Sequence, residues 1–401
     1  MSLPAPNQPL RRVAIVGAGL VSPLGFGLSE TLDALRAGRD CVSGVDSFSV
    51  AQTRCKTAGQ ISNERLLAPH LRDRRSARLH RVSHMLITAL DELLTHAPSF
   101  EPELTVVGTT SGGMSFGENF FRHANVRHSA EWVANYTPQK QMGDAQERFG
   151  IRAPMQVIAN ACASGANAIG HAFDSIRSGR YSRVLAGGYD GISELVFVGF
   201  DSLQAATPDK CRPFDAARNG MVLGEGAALL ALEEFEAAKA RGANIIAEVA
   251  GYGISTDNHH LTQPNPDGSG PRAAMENALR SAGMEAMEVD YINAHGTATH
   301  FNDASEGLAI SQLFDDVPVS STKGMMGHSL GAAGAIETVI VMLALQHGLL
   351  PPNINFATPD PELPINVVAN ISRRADLKVA MSNSFGFGGT NASVIVRKSP
   401  Q

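Results

Sequence analysis

Cysteine is scarce, with four in 401 residues: Cys41, Cys55, Cys162 and Cys211. None belongs to a CxxC pair, so neither a zinc ribbon nor a disulfide framework is supported. For Cys41 and Cys55 the pattern predicts small buried hydrophobes, whereas Cys211, beside Arg212 in a polar segment, is predicted to be exposed. No uninterrupted apolar run is long enough to span a bilayer. The first apolar stretch, Val13–Leu20, is broken by Gly17 and Gly19, and the polar, proline-bearing Met1–Arg12 has no apolar signal-peptide core. There is no basic excess either: 33 Lys and Arg against 39 Asp and Glu give a net charge of −6, which argues against general nucleic-acid binding. The expectation is a cytoplasmic chain with no membrane span and no nucleic-acid partner.

At 43% hydrophobic and 18% charged, the chain can bury a sizeable core and is not a disordered polymer. Short β-branched runs predict strands at Arg12–Val16, Leu104–Gly108, Met155–Ala159, Val184–Gly187, Ala227–Leu232, Ile245–Ala250, Val289–Asn293, Val317–Ser320 and Ala392–Val396. Between them lie helical patterns. Ala166, Ile169, Phe173 and Ile176 make one apolar face, with Gly179 as a stop; Phe235–Arg241 is rich in Ala, Lys and Glu; a helix starts at Gly270-Pro271 and ends near Gly283. Strands interleaved with helices indicate an α/β layered fold. No linker, charge run or internal repeat divides the chain. Gly17-Ala-Gly19 looks like a dinucleotide loop but has Ser22 where the third glycine belongs, so that reading fails.

Three places carry chemistry. Cys162, in Ile158-Ala-Asn-Ala-Cys-Ala-Ser-Gly165, follows a strand and opens a helix, flanked by small residues that leave the sulfur uncovered. The helix dipole there favours thiolate, and the N–H groups can hold an oxyanion; a buried structural cysteine is the competing reading. His295, in Tyr291-Ile-Asn-Ala-His-Gly-Thr-Ala-Thr299, and His328, in Ser321-Thr-Lys323-Gly-Met-Met-Gly-His-Ser329, lie at a strand end and a helix start, where α/β folds gather chemistry. A cysteine with two distant histidines can be a nucleophile with its base and donors. Metal binding by His295 and His300 with Asp303 matches no standard ligand spacing. Finally, Ser382-Asn-Ser-Phe385-Gly-Phe387-Gly-Gly-Thr-Asn391 is too rich in glycine for a strand interior. It predicts a hinge carrying two bulky side chains.

Taken together, Ala161-Cys162-Ala-Ser-Gly, Asn293-Ala-His295-Gly-Thr-Ala-Thr, Ser321-Thr-Lys323 with Gly327-His328, Gly331-Ala-Ala-Gly-Ala-Ile-Glu337 and Asn383-Ser-Phe-Gly-Phe-Gly-Gly-Thr-Asn391 occur in one order. So do Arg212-Pro-Phe-Asp215 and Gly224-Glu-Gly. The chain resembles the elongating β-ketoacyl-acyl-carrier-protein synthases over nearly its whole length. That resemblance implies a thiolase fold, five-layered αβαβα and built from two similar halves. Residues 1–245 would carry the nucleophile and 246–401 the two histidines. It implies decarboxylative condensation of malonyl-carrier protein with an acyl group on Cys162, in fatty-acid or polyketide and polyene elongation. The reaction would need no cofactor beyond the phosphopantetheine of acyl carrier protein.

Roles follow from the same resemblance. His295 and His328 would hydrogen-bond the malonyl thioester carbonyl, and Lys323, through Glu337, would tune the site. The amides of Cys162 and Phe387 would form the oxyanion hole, with Phe387 and Phe385 at the gate. Thr297 and Thr299 would bind the pantetheine arm, and Asn293, Glu337, Ser382 and Asn383 a monovalent cation. Arg72, Arg74, Arg75 and Arg78, continued by Arg81, would dock the acidic carrier. The partner chain would be identical or a related ketosynthase. A chain-length-factor-like subunit without catalysis is the alternative, opposed by the presence of Cys162, His295 and His328. A thiolase is opposed by Phe385 and Phe387, which stand in the late glycine loop where a second catalytic cysteine belongs. Two departures stand out: His300-Phe301-Asn302 replaces a segment that usually begins with proline, and Asn160 replaces Thr or Ser two residues before the nucleophile. Met114 and Phe116 are candidates for the acyl-tail pocket.

Overall fold

The computed structural model describes residues 10–67, 76–123, 125 and 129–399. Ten strands build the frame: β1 Val13–Ser22, β2 Leu104–Gly108, β3 Met155–Ile158, β4 Arg183–Asp190, β5 Gly226–Glu234, β6 Ala247–Thr256, β7 Tyr291–Asn293, β8 Pro318–Ser320, β9 Val379–Gly386 and β10 Thr390–Lys398. Five helices pack on them: α1 Arg81–His96, α2 Ser164–Arg177, α3 Ser269–Ala282, α4 His300–Leu313 and α5 Ala333–His347. The strands lie in the order β3-β2-β4-β5-β1 and then β6-β10-β9-β7-β8, with the edge pair Asn366–Val367 beyond β8. Read outward from the centre, both halves use the first, fifth, fourth, second and third strand of their own sequence. The senses repeat as well, antiparallel for the inner two pairs and parallel for the outer two. A short antiparallel contact, Val13 to Ile15 against Ala247 to Val249, joins the halves.

Alternation of side chains sorts the core into layers. Val13, Ile15, Ala18 and Leu20 of β1 face the inner core, whereas Ala14, Val16 and Val21 face the outer layer with α1. The parity changes at a bulge between Ile15 and Gly17. In the other half Val394 and Val396 face inward and Ile395 faces out toward the layer of α3. The bulge recurs between Val249 and Gly251. Gly17 and Gly19 are therefore no phosphate loop: a Cβ on Gly19 would sit 1.8 Å from the Ala89 carbonyl of α1. Gly251 and Gly253 receive α3 in the same way, with a Cβ on Gly253 meeting the Ala278 amide at 2.2 Å. Strand β1 runs six residues beyond the predicted end because these glycines serve helix contact and do not break the ladder.

The central layer is α2 packed on α5, between the two halves of the sheet. Small residues permit the approach: Gly165 faces the Gly331 carbonyl and Gly334 faces Ala166. Among the described residues only the helical Leu330–His347 is long and apolar enough to cross a bilayer, and it is buried as this central layer. Fully burying each of its Leu, Ile and Val side chains is worth about 1.5–3 kcal/mol, which fixes it inside. Helix α3 ends on Gly283 in the left-handed conformation, close to the predicted stop. The late glycine segment differs from expectation: β9 continues through Ser382–Gly386, so only the turn to Thr390 is irregular. Cys211 is buried, its Sγ 3.7 Å from the Thr297 carbonyl, and is not the exposed residue expected from its polar neighbours; Cys55 is buried as expected and Cys41 half-buried.

Candidate active site

The site lies where the C-terminal ends of parallel strands from the two halves meet, the usual crevice of an α/β sheet. After β3 the chain turns through a single 3₁₀ turn, Ala161–Ala163, and enters α2. Ala161 holds φ 58° directly before the nucleophile candidate, a left-handed conformation that costs a non-glycine residue of order 1 kcal/mol. Ser164 Oγ closes this turn by donating to the Ala161 carbonyl at 2.6 Å and accepting from the Asn160 N–H at 2.9 Å. The same device opens α5, where Leu330, at φ 54°, begins the 3₁₀ turn Leu330–Ala332.

A cavity of about 260 Å³ is lined by Cys162, His295, His328, Thr297, Thr299, Phe385 and Phe387. Four sequence segments, at 162, 295–299, 328 and 385–387, thus converge on one space. Cys162 is only 6% exposed, so its sulfur is not uncovered at the surface; it is reached through the cavity. Burial pushes its thiol up to about 12. Lys323 and the main-chain N–H groups of Phe387 and Cys162 pull in the other direction without prevailing. The resting group is a thiol, and the helix terminus alone does not make it a thiolate.

The His295 and His328 rings meet edge to face with centroids 5.2 Å apart, and Phe385 lies 5.9 Å from His295. Burial, with the charge of Lys323, holds both imidazoles well below their usual range, so both are neutral at pH 7. Glu306, on α4, accepts from the N–H groups of His295 and Gly296 at 2.8 Å each and fixes that loop. His328 is pinned through its main chain, donating to Val222 at 2.7 Å and accepting from the Gly224 N–H at 2.8 Å. The Nδ1 atoms of both rings are buried with no hydrogen-bond partner among the described residues, as is Nε2 of His328. The rings are held by packing and main-chain bonds, and their own nitrogens are left for a ligand.

Lys323 and Glu337 form an ion pair with both side chains fully buried. Burial pushes Glu337 up to about 7 against the attraction of Lys323. Thr297 and Thr299 share a hydroxyl hydrogen bond of 2.8 Å on the cavity wall. Phe387, half-buried on the turn after β9, stacks on Phe200 at 5.7 Å. His300, Phe301 and Asn302 also line the cavity.

At the candidate cation site, Asn293 and Ser382 are register neighbours on β7 and β9. Asn293 Oδ1, Ser382 Oγ and Glu337 Oε2 are buried oxygens without a partner among the described residues. Asn383 does not offer its side-chain oxygen: Oδ1 accepts from Ser393 at 2.8 Å and Nδ2 donates to Glu306 at 3.2 Å. Of the arginine cluster, Arg72, Arg74 and Arg75 lie outside the described residues, and Arg78 is exposed. Arg81 turns inward to pair with Glu225. Met114 and Phe116 do not line the cavity; Phe116 packs against the His80 ring at 4.7 Å.

Two family profiles match in tandem, the β-ketoacyl synthase N-terminal domain over residues 10–238 and the C-terminal domain over 246–357. The chain belongs to the β-ketoacyl synthase family. A relative from Schizosaccharomyces pombe, a putative mitochondrial 3-oxoacyl-[acyl-carrier-protein] synthase, is 37% identical over 97% of this chain and 99% of its own length. The solved structure of the ishigamide ketosynthase/chain length factor superposes with a TM-score of 0.90 at 32% identity, covering 98% of this chain and 100% of that one. The AntDE:AntF structure, a type II PKS acyl-carrier protein in complex with its ketosynthase, gives 0.88 at 28% identity, covering 98% and 100%. The fold is accordingly the five-layered thiolase fold, and the chain is an acyltransferase of the ketoacyl synthase class.

Sequence reasoning missed the acidic groups that hold this synthase site in shape. Glu306 fixes the His295 loop, and Asp190 gathers five donors around one buried carboxylate. A lone acid closing an apolar strand was the available signal for Asp190, since such a residue is buried only when it is well satisfied.

Proposed function

We propose that this chain is a β-ketoacyl-[acyl-carrier-protein] synthase that condenses an acyl group held on Cys162 with malonyl-carrier protein, in fatty-acid or polyketide elongation. The observation that carries the reading is the convergence of Cys162, His295 and His328 on one cavity with the Phe387 amide directed at the sulfur.

In the first step Cys162 sulfur attacks the acyl thioester carbon, and the pantetheine thiol leaves with the sulfur's proton. Because the resting thiol is protonated, attack and proton transfer are coupled. In the second step malonyl thioester loses carbon dioxide, and its two bonding electrons pass into an enolate. His295 and His328, neutral and donor-capable, stabilise the charge growing on the enolate oxygen. The enolate carbon attacks the acyl carbonyl, a carbon–carbon bond forms, and the Cys162 thiolate leaves. The Cys162 and Phe387 amides hold the oxyanion in between. Lys323, paired to Glu337, lowers the imidazoles electrostatically and so keeps them neutral.

Thr297 and Thr299 would bind the pantetheine arm, and Phe387, resting on Phe200, would gate the passage between the two steps, with Phe385 beneath it. Asn293, Ser382 and Glu337 would hold a monovalent cation, and when bound that ion would supply a fixed positive charge beside Glu337. The division at residues 245 and 246 is supported by the repeated strand order of the two halves. Arg72, Arg74, Arg75 and Arg78 would steer the acidic carrier. Reversing Arg75 and Arg78 to Glu should raise KM for the carrier and spare activity with a small thioester. The complexes formed by the ishigamide and AntDE:AntF proteins support a carrier and a related ketosynthase chain as partners, with a second copy of this chain as the other option. A cytoplasmic location goes with this reading. The test is mass spectrometry after incubation with acyl-carrier protein, followed by addition of malonyl-carrier protein. An acyl adduct on Cys162 that is then consumed to a β-ketoacyl product is expected. No adduct, under conditions that label a known synthase, would assign the chain to the non-catalytic partner class.

A further inference from the structure

Asp190 ends β4 and is fully buried. Its Oδ1 accepts from Thr109 Oγ1 at 2.8 Å, Ser111 N–H at 2.8 Å and Ser111 Oγ at 2.7 Å. Its Oδ2 accepts from Thr110 N–H at 2.8 Å and Gly331 N–H at 2.7 Å. Three main-chain N–H groups therefore surround a carboxylate that has no cationic partner among the described residues. These donors come from both halves: Thr109 to Ser111 follow β2 of the first, and Gly331 opens α5 of the second, three residues after His328. The first loop also reaches the nucleophile turn, since Thr110 Oγ1 donates to the Ala161 carbonyl at 3.2 Å. There is no slack at the junction. A Cβ on Gly331 would lie 2.6 Å from the Thr110 amide and 2.7 Å from Asp190 Oδ2. Asp190 does not line the cavity.

We propose that Asp190 is a positioning residue that ties the Cys162 turn to the His328 turn across the two halves, setting how sulfur and imidazole face each other. The inference rests on the condensing function proposed above. An isosteric amide breaks the tie. Asparagine has one acceptor oxygen, and its NH₂ group must oppose either the Ser111 N–H or the pair from Thr110 and Gly331. The geometry, not substrate binding, then suffers. The charge of Asp190 also holds the neighbouring thiol up, which supplies a second readout that needs no substrate.

The experiment compares wild type with Asp190→Asn and Thr109→Val in two assays: steady-state condensation, and the pH dependence of Cys162 alkylation by iodoacetamide. For Asp190→Asn, kcat is expected to fall at least tenfold with KM for malonyl-carrier protein within twofold. Its alkylation profile is expected to move to lower pH. Thr109→Val, which keeps the shape but removes one donor to Asp190 and the acceptor of the Gly112 N–H, is expected to lose about threefold in kcat with the same KM, and it carries the test if Asp190→Asn does not fold. An unchanged kcat in the folded variants overturns the proposal, and so does a joint change of kcat and KM with an unmoved alkylation profile, the mark of a merely structural residue. If wild type itself makes no product, the function reading fails instead, and the alkylation profile alone decides on Asp190: a shift to lower pH supports it and an unmoved profile overturns it.

Discussion

The buried pair of Lys323 and Glu337 makes a prediction whose sign depends on which partner is removed. In Lys323→Met, Glu337 is left in a site of zero exposure with no cation. It can escape an uncompensated charge by taking up a proton, so the cost is capped at that of protonating a carboxyl whose unfolded pKa is about 4.3. Each pH unit is worth about 1.4 kcal/mol. Because burial already pushes wild-type Glu337 up to about 7, wild type shares the protonated form at lower pH; the loss is small at pH 5 and reaches about 3 kcal/mol at pH 9. The folded variant keeps its proton where wild type gives it up, so its deficit against wild type grows as pH rises through about 7. In Glu337→Gln, Lys323 escapes by losing its proton. From an unfolded pKa of about 10.4 the loss is about 4–5 kcal/mol at pH 7 and about 2 kcal/mol at pH 9, and this deficit shrinks as pH rises. Urea unfolding of wild type, both single variants and the double variant Lys323→Met/Glu337→Gln, measured from pH 5 to 9, reads the slopes directly. Opposite slopes for the single variants and a nearly flat double are expected. Parallel slopes, or deficits below about 1 kcal/mol throughout, would refute a buried ion pair in the folded protein above pH 7.

Three further outcomes follow from the same site. Cys162→Ala should lose the acyl adduct and at least a thousandfold in condensation while still decarboxylating malonyl-carrier protein, measured by carbon dioxide release; loss of decarboxylation as well would place the sulfur in the wrong step. Alkylation of Cys162 should keep accelerating above pH 9, because burial pushes its thiol up to about 12, and a plateau by pH 8 would contradict a resting thiol. Because His295 and His328 are held well below 6.5, decarboxylation should persist as pH falls through 6.5. The unfolded chain gains protons there that the folded rings refuse, so stability should decline over the same range. A rate loss centred on 6.5 would show that the rings titrate normally.

The chemistry was readable from the chain because each reactive residue sits in a short run with its own local cause. Small residues around Cys162 mark a strand-to-helix turn, and His295 and His328 each stand in a glycine-bearing loop at an element's end. The alternation of the strands was equally local, and it places Val13 and Ile15 on one face and Ala14 on the other. What no local pattern held was pairing over distance. The two halves share a strand order and a bulge, yet the matching Gly17-Ala-Gly19 and Gly251-Tyr-Gly253 have different neighbours, so the repeat is visible in backbone and not in letters. Cys211 reads as exposed from its polar neighbours, but the Thr297 loop folds over it. The cysteine's protonation was settled by burial from both halves, which outweighs the helix terminus beside it. Asp190 shows the limit most plainly: one acid at the end of a strand acquires meaning only when loops from positions 109 and 331 bring it their N–H groups. A sequence determines what each segment prefers, because propensity and periodicity act over a few residues. Which charges are buried, and what they hold together, depends on contacts between segments far apart in the chain, and only the tertiary structure decides those.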